Sequence, residues 1–283
     1  VLYFNRDPTR FYADREKPKT FIEGDFMDIS NENLVYNHRY YKTPAASPEA
    51  FMKHSHNTYE LIFFEKGNVT YFIEGKRYKL KKNDLVFIRP MKFHYVDIQP
   101  DSEYSRFNIA FGDSFVGKKL LDSVPEEIEL VHCPEECVVT EIFAKTDYYA
   151  AHLDEDAFTD VLAALLKELF YSLRISENEF FIDSSKLSPI LGKAVDYIND
   201  NLFTVKDIKE VADKLYVSEQ YLFRIFQNQI KISPKKYINN KRLLFAQSML
   251  RQGMRPTDIY EKCGFDSYPG FYKQYVATFG YAP

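Results

Sequence analysis

The first 111 residues alternate short apolar runs with polar turns, which is the pattern of β-structure. The runs are rich in β-branched and aromatic residues and occupy positions 59–64, 69–73 and 84–88. Strands of this length at this spacing are typical of an antiparallel barrel or jelly roll. We therefore predict a β-barrel over residues 1–115.

From Ser114 onward the apolar positions recur every three or four residues, which indicates helices. The clearest stripe lies between Ala157 and Leu173, where apolar side chains line one broad face. Such a stripe covers the chain's own barrel or pairs with a second copy in a dimer, because periodicity does not identify the partner. Residues 116–183 are accordingly predicted to be a helical connector, either barrel-covering or dimer-forming, and a polar joint follows at about 177–189.

Residues 187–283 contain two similar helical units. In the first, a helix is followed by a turn at Tyr216 and by a second helix that Ser218 can cap. In the second, the turn follows Cys263, and Ser267 is placed to cap the next helix. A helix, a tight turn and a capped second helix form the helix-turn-helix pattern, whose second helix can enter a DNA major groove.

One continuous helix is predicted between the two units, from Pro234 to Gln252. At 1.5 Å per residue this helix would span roughly 27 Å. Successive major-groove segments on one side of B-DNA lie roughly 34 Å apart. Two reading helices on one rigid spacer are therefore suited to adjacent segments of the groove, and the pair is more specific for DNA than a single unit.

The charge distribution supports a DNA partner for this last region only. The chain has a net charge of −4, but residues 187–283 carry 14 Lys or Arg and 9 Asp or Glu, a net +5, which leaves −9 for residues 1–186. A positive region attracts a phosphate backbone. No apolar run reaches the roughly 18 residues of a membrane span. The three cysteines make no disulfide framework, which fits a reducing cytoplasm.

Many spaced residues of this region closely resemble the AraC/XylS family of transcription regulators. The matching positions are Ser218, Leu222, Arg224, Phe226, Ser233, Pro234, Tyr237, Arg242, Ala246, Ile259, Cys263, Gly264, Phe265, Phe279, Gly280 and Pro283. The resemblance covers about residues 187–283. It implies a domain with two helix-turn-helix units that binds double-stranded promoter DNA, usually beside a sensor domain. It also implies a further helix after Pro283, so we expect the sequence to be trimmed.

The resemblance also implies which side chains face DNA. They are Ser218, Gln220, Phe223, Arg224 and Gln227 in the first unit, and Ser267, Tyr268, Tyr272 and Lys273 in the second. Arg224 can bind guanine through two hydrogen bonds or anchor a phosphate, and Gln220 can bind adenine. Phe223 either touches a thymine methyl group or packs in the core. Pro269-Gly270 and Tyr260 depart from the family pattern, which predicts weaker base reading by the second unit.

A second pattern lies inside the predicted barrel. His54, His56, Glu60 and His94 resemble the metal-binding pattern of cupins. Residues two apart on a strand share a face, so the first three can point inward together and His94 can complete the set. Three imidazoles and a carboxylate suit a divalent transition metal such as Mn, Fe, Ni or Zn. The resemblance to sensor barrels of AraC-type regulators implies, alternatively, that the histidines contact an organic ligand or lie in the core without metal.

The barrel is also expected to bind a small polar effector, for example a sugar. The candidate ligand-binding side chains are Glu60, Tyr71, Arg89, His94 and Tyr95, which could supply stacking and hydrogen bonds. No nucleophile motif and no Gly-rich phosphate loop is present, so the sequence does not indicate an enzyme.

These observations predict a two-domain fold, with an N-terminal β-barrel of cupin or jelly-roll type plus a helical connector, and a C-terminal all-α double helix-turn-helix domain. The leading hypothesis is a cytoplasmic, homodimeric, sequence-specific transcription regulator that responds to a small molecule. Two alternatives stay open at this stage. One is a metal-dependent cupin enzyme with an appended DNA-binding domain, and the other is a constitutive DNA-binding protein whose barrel serves only for dimerisation.

Overall fold

The computed structural model describes residues 28–31, 34–42, 54–99, 102–175, 181–182 and 188–283. Within these ranges a β-rich N-terminal domain precedes an all-helical C-terminal domain, so the predicted two-domain fold is confirmed. The predicted polar joint lies largely outside the described residues. Among the helices that the structure describes, none combines the length and apolar character needed to cross a membrane.

Two antiparallel sheets face each other in the N-terminal domain. Their strands are β1 (Asp28–Ser30), β2 (Leu34–Tyr41), β3 (Tyr59–Gly67), β4 (Val69–Ile73), β5 (Lys76–Lys79), β6 (Asp84–Ile88), β7 (His94–Ile98), β8 (Tyr104–Phe111), β9 (Leu130–His132) and β10 (Phe181–Ile182). The larger sheet has the order β1-β2-β8-β3-β6-β9-β10, and the smaller has the order β5-β4-β7. The three apolar runs predicted as strands form β3, β4 and β6.

The large sheet is buried on both faces. Along β8, Phe107 and Ile109 belong to a core shared with helices, whereas Tyr104 belongs to a separate core between the two sheets. Because successive strand residues point to opposite faces, odd positions of β8 face the helices and even positions face the barrel interior. Arg106 and Asn108 therefore lie on the interior face.

Helices cover the outer face of the large sheet. They are α1 (Asp113–Val116), α2 (Lys118–Leu121), α3 (Val138–His152) and α4 (Glu155–Ile175). The apolar stripe of α4, including Phe158, Leu162 and Phe170, is buried in the core that this sheet and these helices share. The stripe thus covers the chain's own barrel, and the homodimer stays a prediction.

The segment predicted as a separate connector, 116–183, is an integral part of the β-rich domain. Strand β9 pairs with β6 of the large sheet, and α3 and α4 pack on that sheet's outer face. Sequence periodicity identified the helices but not β9, because a three-residue strand is too short to show alternation.

The C-terminal domain consists of six helices within the described residues. They are α5 (Pro189–Asp200), α6 (Ile208–Lys214), α7 (Glu219–Gln229), α8 (Pro234–Arg251), α9 (Pro256–Ile259) and α10 (Tyr268–Phe279). Helix α8 has 18 residues and corresponds to the predicted spacer. Its residues contribute to two apolar cores, one around α5, α6 and α7 and the other around α9 and α10.

A mostly buried histidine joins the large sheet to the helical layer. His38 on β2 lies 2.8 Å from Asp147 of α3 through Nδ1 and 2.7 Å from Glu65 of β3 through Nε2. Its ring also stacks on Phe107, with centroids 3.7 Å apart. Burial lowers the pKa of His38, but the hydrogen bonds to Asp147 and Glu65 outweigh that effect and raise the pKa to about 9.

The raised pKa of His38 predicts a loss of stability in alkaline solution. The protonated ring contributes fully below the unfolded-state pKa of 6.5, and its contribution is lost as pH rises through about 9. Because Asp147 is partly exposed, we expect about 1–2 kcal/mol over that range, not the full value of the shift. Urea unfolding at pH 6 to 9.5 should show this loss in the wild type and not in His38→Gln.

The matched control is His152→Gln at the exposed end of α3. This variant should retain the wild-type pH dependence. Parallel stability curves for the wild type and His38→Gln would contradict the role given to His38.

Candidate nucleic-acid interface and ligand site

The first helix-turn-helix unit has capped helices and a left-handed turn residue. The side chain of Asp207 accepts a hydrogen bond from Glu210 N at the start of α6, and Ser218 accepts one from Tyr221 N at the start of α7. Between them, Tyr216 has φ 56°, and Val217 N donates to Ala212 O. These local interactions end α6 and start α7 within a few residues, as predicted from the sequence.

Helix α7 presents a polar outer face. Leu222 and Phe226 are buried in the core of the unit, whereas Gln220 and Arg224 are exposed. Phe223 was predicted either to contact a thymine methyl group or to pack in the core. Its side chain is 49% exposed, which favours the surface position. Gln227 is half-buried, and Ser218 is exposed while it caps the helix. All five predicted side chains of this unit therefore lie at or next to one accessible face.

The second unit repeats this arrangement with a shorter first helix. Helix α9 has four residues, and α10 begins after Ser267, whose side chain accepts from Gly270 N. Tyr272 is 42% exposed and Lys273 is exposed, while Tyr268 is half-buried. Pro269 lies in the first turn of α10, where a missing N–H is tolerated, and the helix continues to Phe279.

Gly264 allows the turn of the second unit. Its φ is 78°, and Phe265 N donates to Tyr260 O, which matches the bond from Val217 to Ala212 in the first unit. A Cβ at this position would lie 2.7 Å from Phe203 O and 2.8 Å from the Arg242 guanidinium carbon. Only glycine fits both the conformation and the close packing.

Arg242 on α8 binds both units. Its Nε donates to Leu202 O at 2.7 Å and its Nη2 to Val205 O at 2.6 Å, both just before α6. Its Nη1 donates to Gly264 O at 2.8 Å in the turn of the second unit. The buried guanidinium thus fixes α6 and the second turn on the same spacer helix, which holds α7 and α10 in a defined relation.

Four predicted metal ligands converge at one end of the barrel. One ligand atom from each of His54, His56, Glu60 and His94 lies within 4.8 Å of the others. His54 and His94 are joined by a short backbone bridge, and His56 Nε2 and His94 Nε2 lie 3.1 and 3.0 Å from the same Glu60 oxygen. Burial raises the pKa of Glu60, but the two imidazoles outweigh it and hold that pKa well below its usual value.

The hydrogen bonds of two histidines orient their second nitrogens toward this cluster. His56 Nδ1 lies 2.9 Å from Thr58 O, and His94 Nδ1 lies 2.8 Å from Lys92 O. A carbonyl oxygen only accepts, so each Nδ1 carries a proton, and each Nε2 faces Glu60, to which it donates when the ring is protonated and toward which it turns a lone pair when the ring is neutral. A cation that replaced the Nε2 protons would be met by two nitrogen lone pairs and a carboxylate. The donor set and its orientation fit a transition metal.

The five predicted ligand-binding residues do not all share this site. Glu60, His94 and Tyr71 face the barrel interior, where the Tyr71 hydroxyl lies 3.1 Å from that of Tyr104. Arg89 lies elsewhere, because its guanidinium donates to backbone carbonyls at residues 124–128. Tyr95 follows inward-facing His94 and so points outward, where it stacks on Phe72 with centroids 4.5 Å apart.

Two interior polar residues, Arg106 and Asn108, were not identified from the sequence. Both are buried on the interior face of β8. The strand reads Tyr-Ser-Arg-Phe-Asn-Ile-Ala-Phe, and its period of two would have placed Arg106 and Asn108 on one face with Tyr104. Polar residues at alternate positions resemble a solvent-facing side, which concealed them.

The barrel is docked on α8 through a buried acidic residue. Glu74, in the turn after β4, accepts from Tyr237 Oη and lies 3.2 Å from Lys241 Nζ. Its other carboxylate oxygen accepts from Phe93 N at 2.6 Å. Burial raises the pKa of Glu74, but Lys241 outweighs that effect and keeps the pKa lowered. An ionised pair therefore lies at the domain interface.

Further barrel residues contact the helical domain, among them Met91, which packs against the apolar core of the first helix-turn-helix unit. Phe93 is part of the apolar core of the first helix-turn-helix unit. The Asn57 amide donates to Leu244 O at 2.6 Å and to Gln247 Oε1 at 3.1 Å on α8. The interface thus combines apolar packing with buried polar contacts to the spacer helix.

Comparison with known proteins agrees with both halves of this architecture. A model of the AraC-like ligand binding domain matches residues 46–179, and a model of a helix-turn-helix domain matches residues 211–283. The chain belongs to the AraC/XylS family of transcription regulators. It is therefore a DNA-binding transcription regulator with a ligand-binding domain.

Curated relatives match along most of the chain. The HTH-type transcriptional activator RhaS of Escherichia coli O9:H4 (strain HS) is 22% identical over 269 residues, which covers 92% of this chain and 93% of that protein. RhaS of Klebsiella pneumoniae (strain 342) is 21% identical over 248 residues, with coverages of 85% and 88%. Among solved structures, ToxT from Vibrio cholerae O395 matches with a TM-score of 0.38 and 14% identity, covering 89% of this chain and 96% of ToxT.

Arg224 is the exposed cation on the first reading helix and provides a direct test of the interface. Sites for the wild-type protein can be selected from random double-stranded DNA, and affinity measured by gel shift at fixed salt. Arg224→Ala should weaken binding by about 1–3 kcal/mol, because a bidentate base contact contributes that much. Base preference should also relax at one position of the site.

The control is Arg174→Ala, which removes an exposed arginine from α4 in the sensor domain. This variant should bind like the wild type. Equal losses in both variants would mean that only general charge matters, which would rule out base reading by Arg224.

Proposed function

We propose that a small polar effector bound inside the barrel controls how the two reading helices are presented to promoter DNA. The single observation that supports this is the docking of the barrel on α8 through Glu74, Tyr237 and Lys241. Helix α8 connects both helix-turn-helix units, so a change in docking acts on the element that sets their separation.

In two segments of the chain, a residue of the ligand site is directly followed or preceded by a residue that makes a docking contact. His94 of the cluster directly follows Phe93, whose N–H binds Glu74 and whose ring packs in the DNA-binding domain. His56 directly precedes Asn57, which donates to α8. A ligand that shifts either histidine moves its covalent neighbour, so coupling needs no long chain of contacts.

Control by the effector requires that it bind the docked and released arrangements with different affinity. Control through docking also requires that the two arrangements differ by a free energy within the range that a bound small molecule can shift. We further propose that the regulator acts in the cytoplasm as a homodimer, in which two pairs of reading helices contact one promoter.

The cluster of His54, His56, Glu60 and His94 is proposed to hold one divalent transition metal. Support comes from the convergence of four ligand atoms and from the two Nδ1–H groups that are fixed by carbonyl oxygens. A bound ion would supply a positive centre for an oxygen atom of the effector.

Loss of the Glu74 carboxylate should release the barrel from α8. Glu74→Gln leaves Lys241 buried beside a neutral group, which weakens a buried pair by about 3–5 kcal/mol. Hydrogen exchange should become faster at residues 237–247 and 91–94. The affinity of the variant for a selected DNA site should differ from that of the ligand-free wild type and should no longer respond to effector.

Two further variants sharpen this test. Glu135→Gln removes an exposed barrel carboxylate that pairs with Lys82, and it should leave exchange in α8 unchanged. The double variant Glu74→Gln with Lys241→Met removes both buried charges and should regain part of the protection. Unchanged exchange at α8 in Glu74→Gln would contradict control through docking.

Metal content tests the second proposal. After incubation with Zn²⁺, Ni²⁺, Mn²⁺ or Fe²⁺ and gel filtration, elemental analysis should find about one ion per wild-type chain. His56→Ala and His94→Gln should lose most of it, whereas His152→Gln should retain it. Wild-type protein that carries no stoichiometric metal after all four incubations would rule the metal out.

A further inference from the structure

Inside the barrel, beyond the histidine cluster, lies a second set of buried polar groups. Arg106 and Asn108 on β8 face the interior with Tyr104, and Asn37 on β2 pairs directly with Asn108 in the strand register. Glu60 faces the same interior, opposite Ala110, two residues along β8 from Asn108. The two polar sets therefore share one interior face.

Arg106 is a buried cation with few partners. The residue is 9% exposed, its Nη1 donates to Asn37 Oδ1 at 2.7 Å, and its guanidinium carbon lies 5.7 Å from the centroid of the Tyr104 ring. No carboxylate of the described residues lies within the 4.0 Å of an ion pair. A guanidinium has five N–H donors and stays protonated, so among the described residues most of its hydrogen-bonding capacity is unused and no carboxylate forms an ion pair with it.

Asn108 supplies an acceptor beside this cation. The residue is 3% exposed, and its side-chain oxygen Oδ1 has no hydrogen-bond partner in the described part of the chain. A buried unpaired amide oxygen is unfavourable unless a ligand or water donates to it. The interior thus places the N–H donors of the Arg106 guanidinium, which favour an anion, near the Asn108 amide oxygen, which can accept a hydrogen bond.

A second buried arginine shows how this chain treats a guanidinium with a structural role. Arg242 is 7% exposed, and three of its nitrogens donate to backbone carbonyls at 2.6 to 2.8 Å. Arg106 is buried to a similar degree, yet among the described residues it makes one hydrogen bond, to the side-chain oxygen of Asn37. The contrast shows that, within the described part of the chain, Arg106 lacks the set of hydrogen bonds that holds Arg242 in place.

We propose that Arg106, Asn108 and Asn37 bind the carboxylate and a neighbouring hydroxyl of a small hydroxy acid, such as a sugar acid. The carboxylate accepts from Arg106 and neutralises it, and the hydroxyl donates to Asn108 Oδ1. A neutral sugar satisfies Asn108 but leaves the guanidinium without a counter-ion. This inference rests on the proposed function and specifies the chemical class of its effector.

The test compares acids with their neutral counterparts on the full chain. The probes are galacturonate against galactose, gluconate against glucose, and glycerate against glycerol, each at 10 mM and monitored by thermal unfolding. At least one acid should raise the melting temperature of the wild type by about 3 °C or more, and its neutral partner should not. In Arg106→Met the response to that acid should disappear.

The ligand-free variants separate a binding role from a structural one. Arg106→Met replaces an unpaired buried charge by an apolar side chain of similar length and should melt at or above the wild-type temperature. Arg242→Met breaks three satisfied hydrogen bonds and should melt several degrees lower. If Arg106→Met is destabilised as much as Arg242→Met, Arg106 is structural and the proposal is overturned.

The remaining outcomes are equally decisive. The proposal is overturned if no acid shifts the wild type, if neutral partners shift it equally, or if Arg106→Met keeps the response. Those results leave control through α8 untouched, because Glu74→Gln tests it separately. Conversely, acids that bind through Arg106 without changing hydrogen exchange at α8 support this site and contradict the proposed control of DNA binding.

Discussion

The whole arrangement depends on polar side chains buried along one helix. Helix α8 carries Lys241, Arg242 and Gln247 on turns that are removed from water. Burying each of these side chains would be strongly unfavourable without a hydrogen-bond or ionic partner. Lys241 finds its carboxylate on the sensor domain, Arg242 binds carbonyls of both helix-turn-helix units, and Gln247 contacts the barrel through Asn57. Helix α8 is therefore buried only when the barrel and both helix-turn-helix units are correctly placed around it.

Helix α8 makes two interfaces, one with the rest of the DNA-binding domain and one with the barrel, and they differ in the contacts that hold them. Arg242 binds backbone carbonyls of its own domain through three hydrogen bonds, so the relation between the reading helices is rigid. The contact with the barrel involves the ion pair of Glu74 with Lys241, the hydrogen bond from Tyr237 to Glu74, the Asn57 amide, and the apolar side chains of Phe93 and Met91. Breaking the barrel contact releases charged and amide groups that water can solvate. Regulation is therefore expected at the barrel contact, while the DNA-binding domain moves as a unit.

Short-range signals in the sequence predicted the elements whose formation depends on residues that are close together in the chain. The β3, β4 and β6 runs, the N-caps at Ser218 and Ser267 and the spacer helix all follow from periodicity, turn residues or capping side chains. Contacts between residues distant in sequence gave no such signal. Lys241 looked like a surface lysine, because the carboxylate that buries it, Glu74, is 167 residues away.

The ligand site shows a different limit of sequence reasoning. Inward-facing His94 already implied that Tyr95 points outward, so the error there was one of strand register that alternation could have corrected. Arg89 gave no comparable clue, since the carbonyls that bind it at residues 124–128 lie in an irregular segment. The partner of the α4 stripe also stayed open, because an apolar face packs equally well on a sheet of its own chain or on a second copy.

The polarity of the barrel interior constrains which molecules this regulator can sense. An interior that buries Glu60, Arg106, Asn108 and the Tyr71 hydroxyl is less stable when empty than an apolar one of the same shape. A purely apolar ligand would remove water from these groups without replacing its hydrogen bonds, so its binding is disfavoured. A ligand with charge and hydroxyls satisfies them and gains affinity from the same groups that destabilise the empty barrel. On the proposed function, the interior would exchange folding stability for selective binding, which is expected of a sensor domain and not of a barrel that serves only for association.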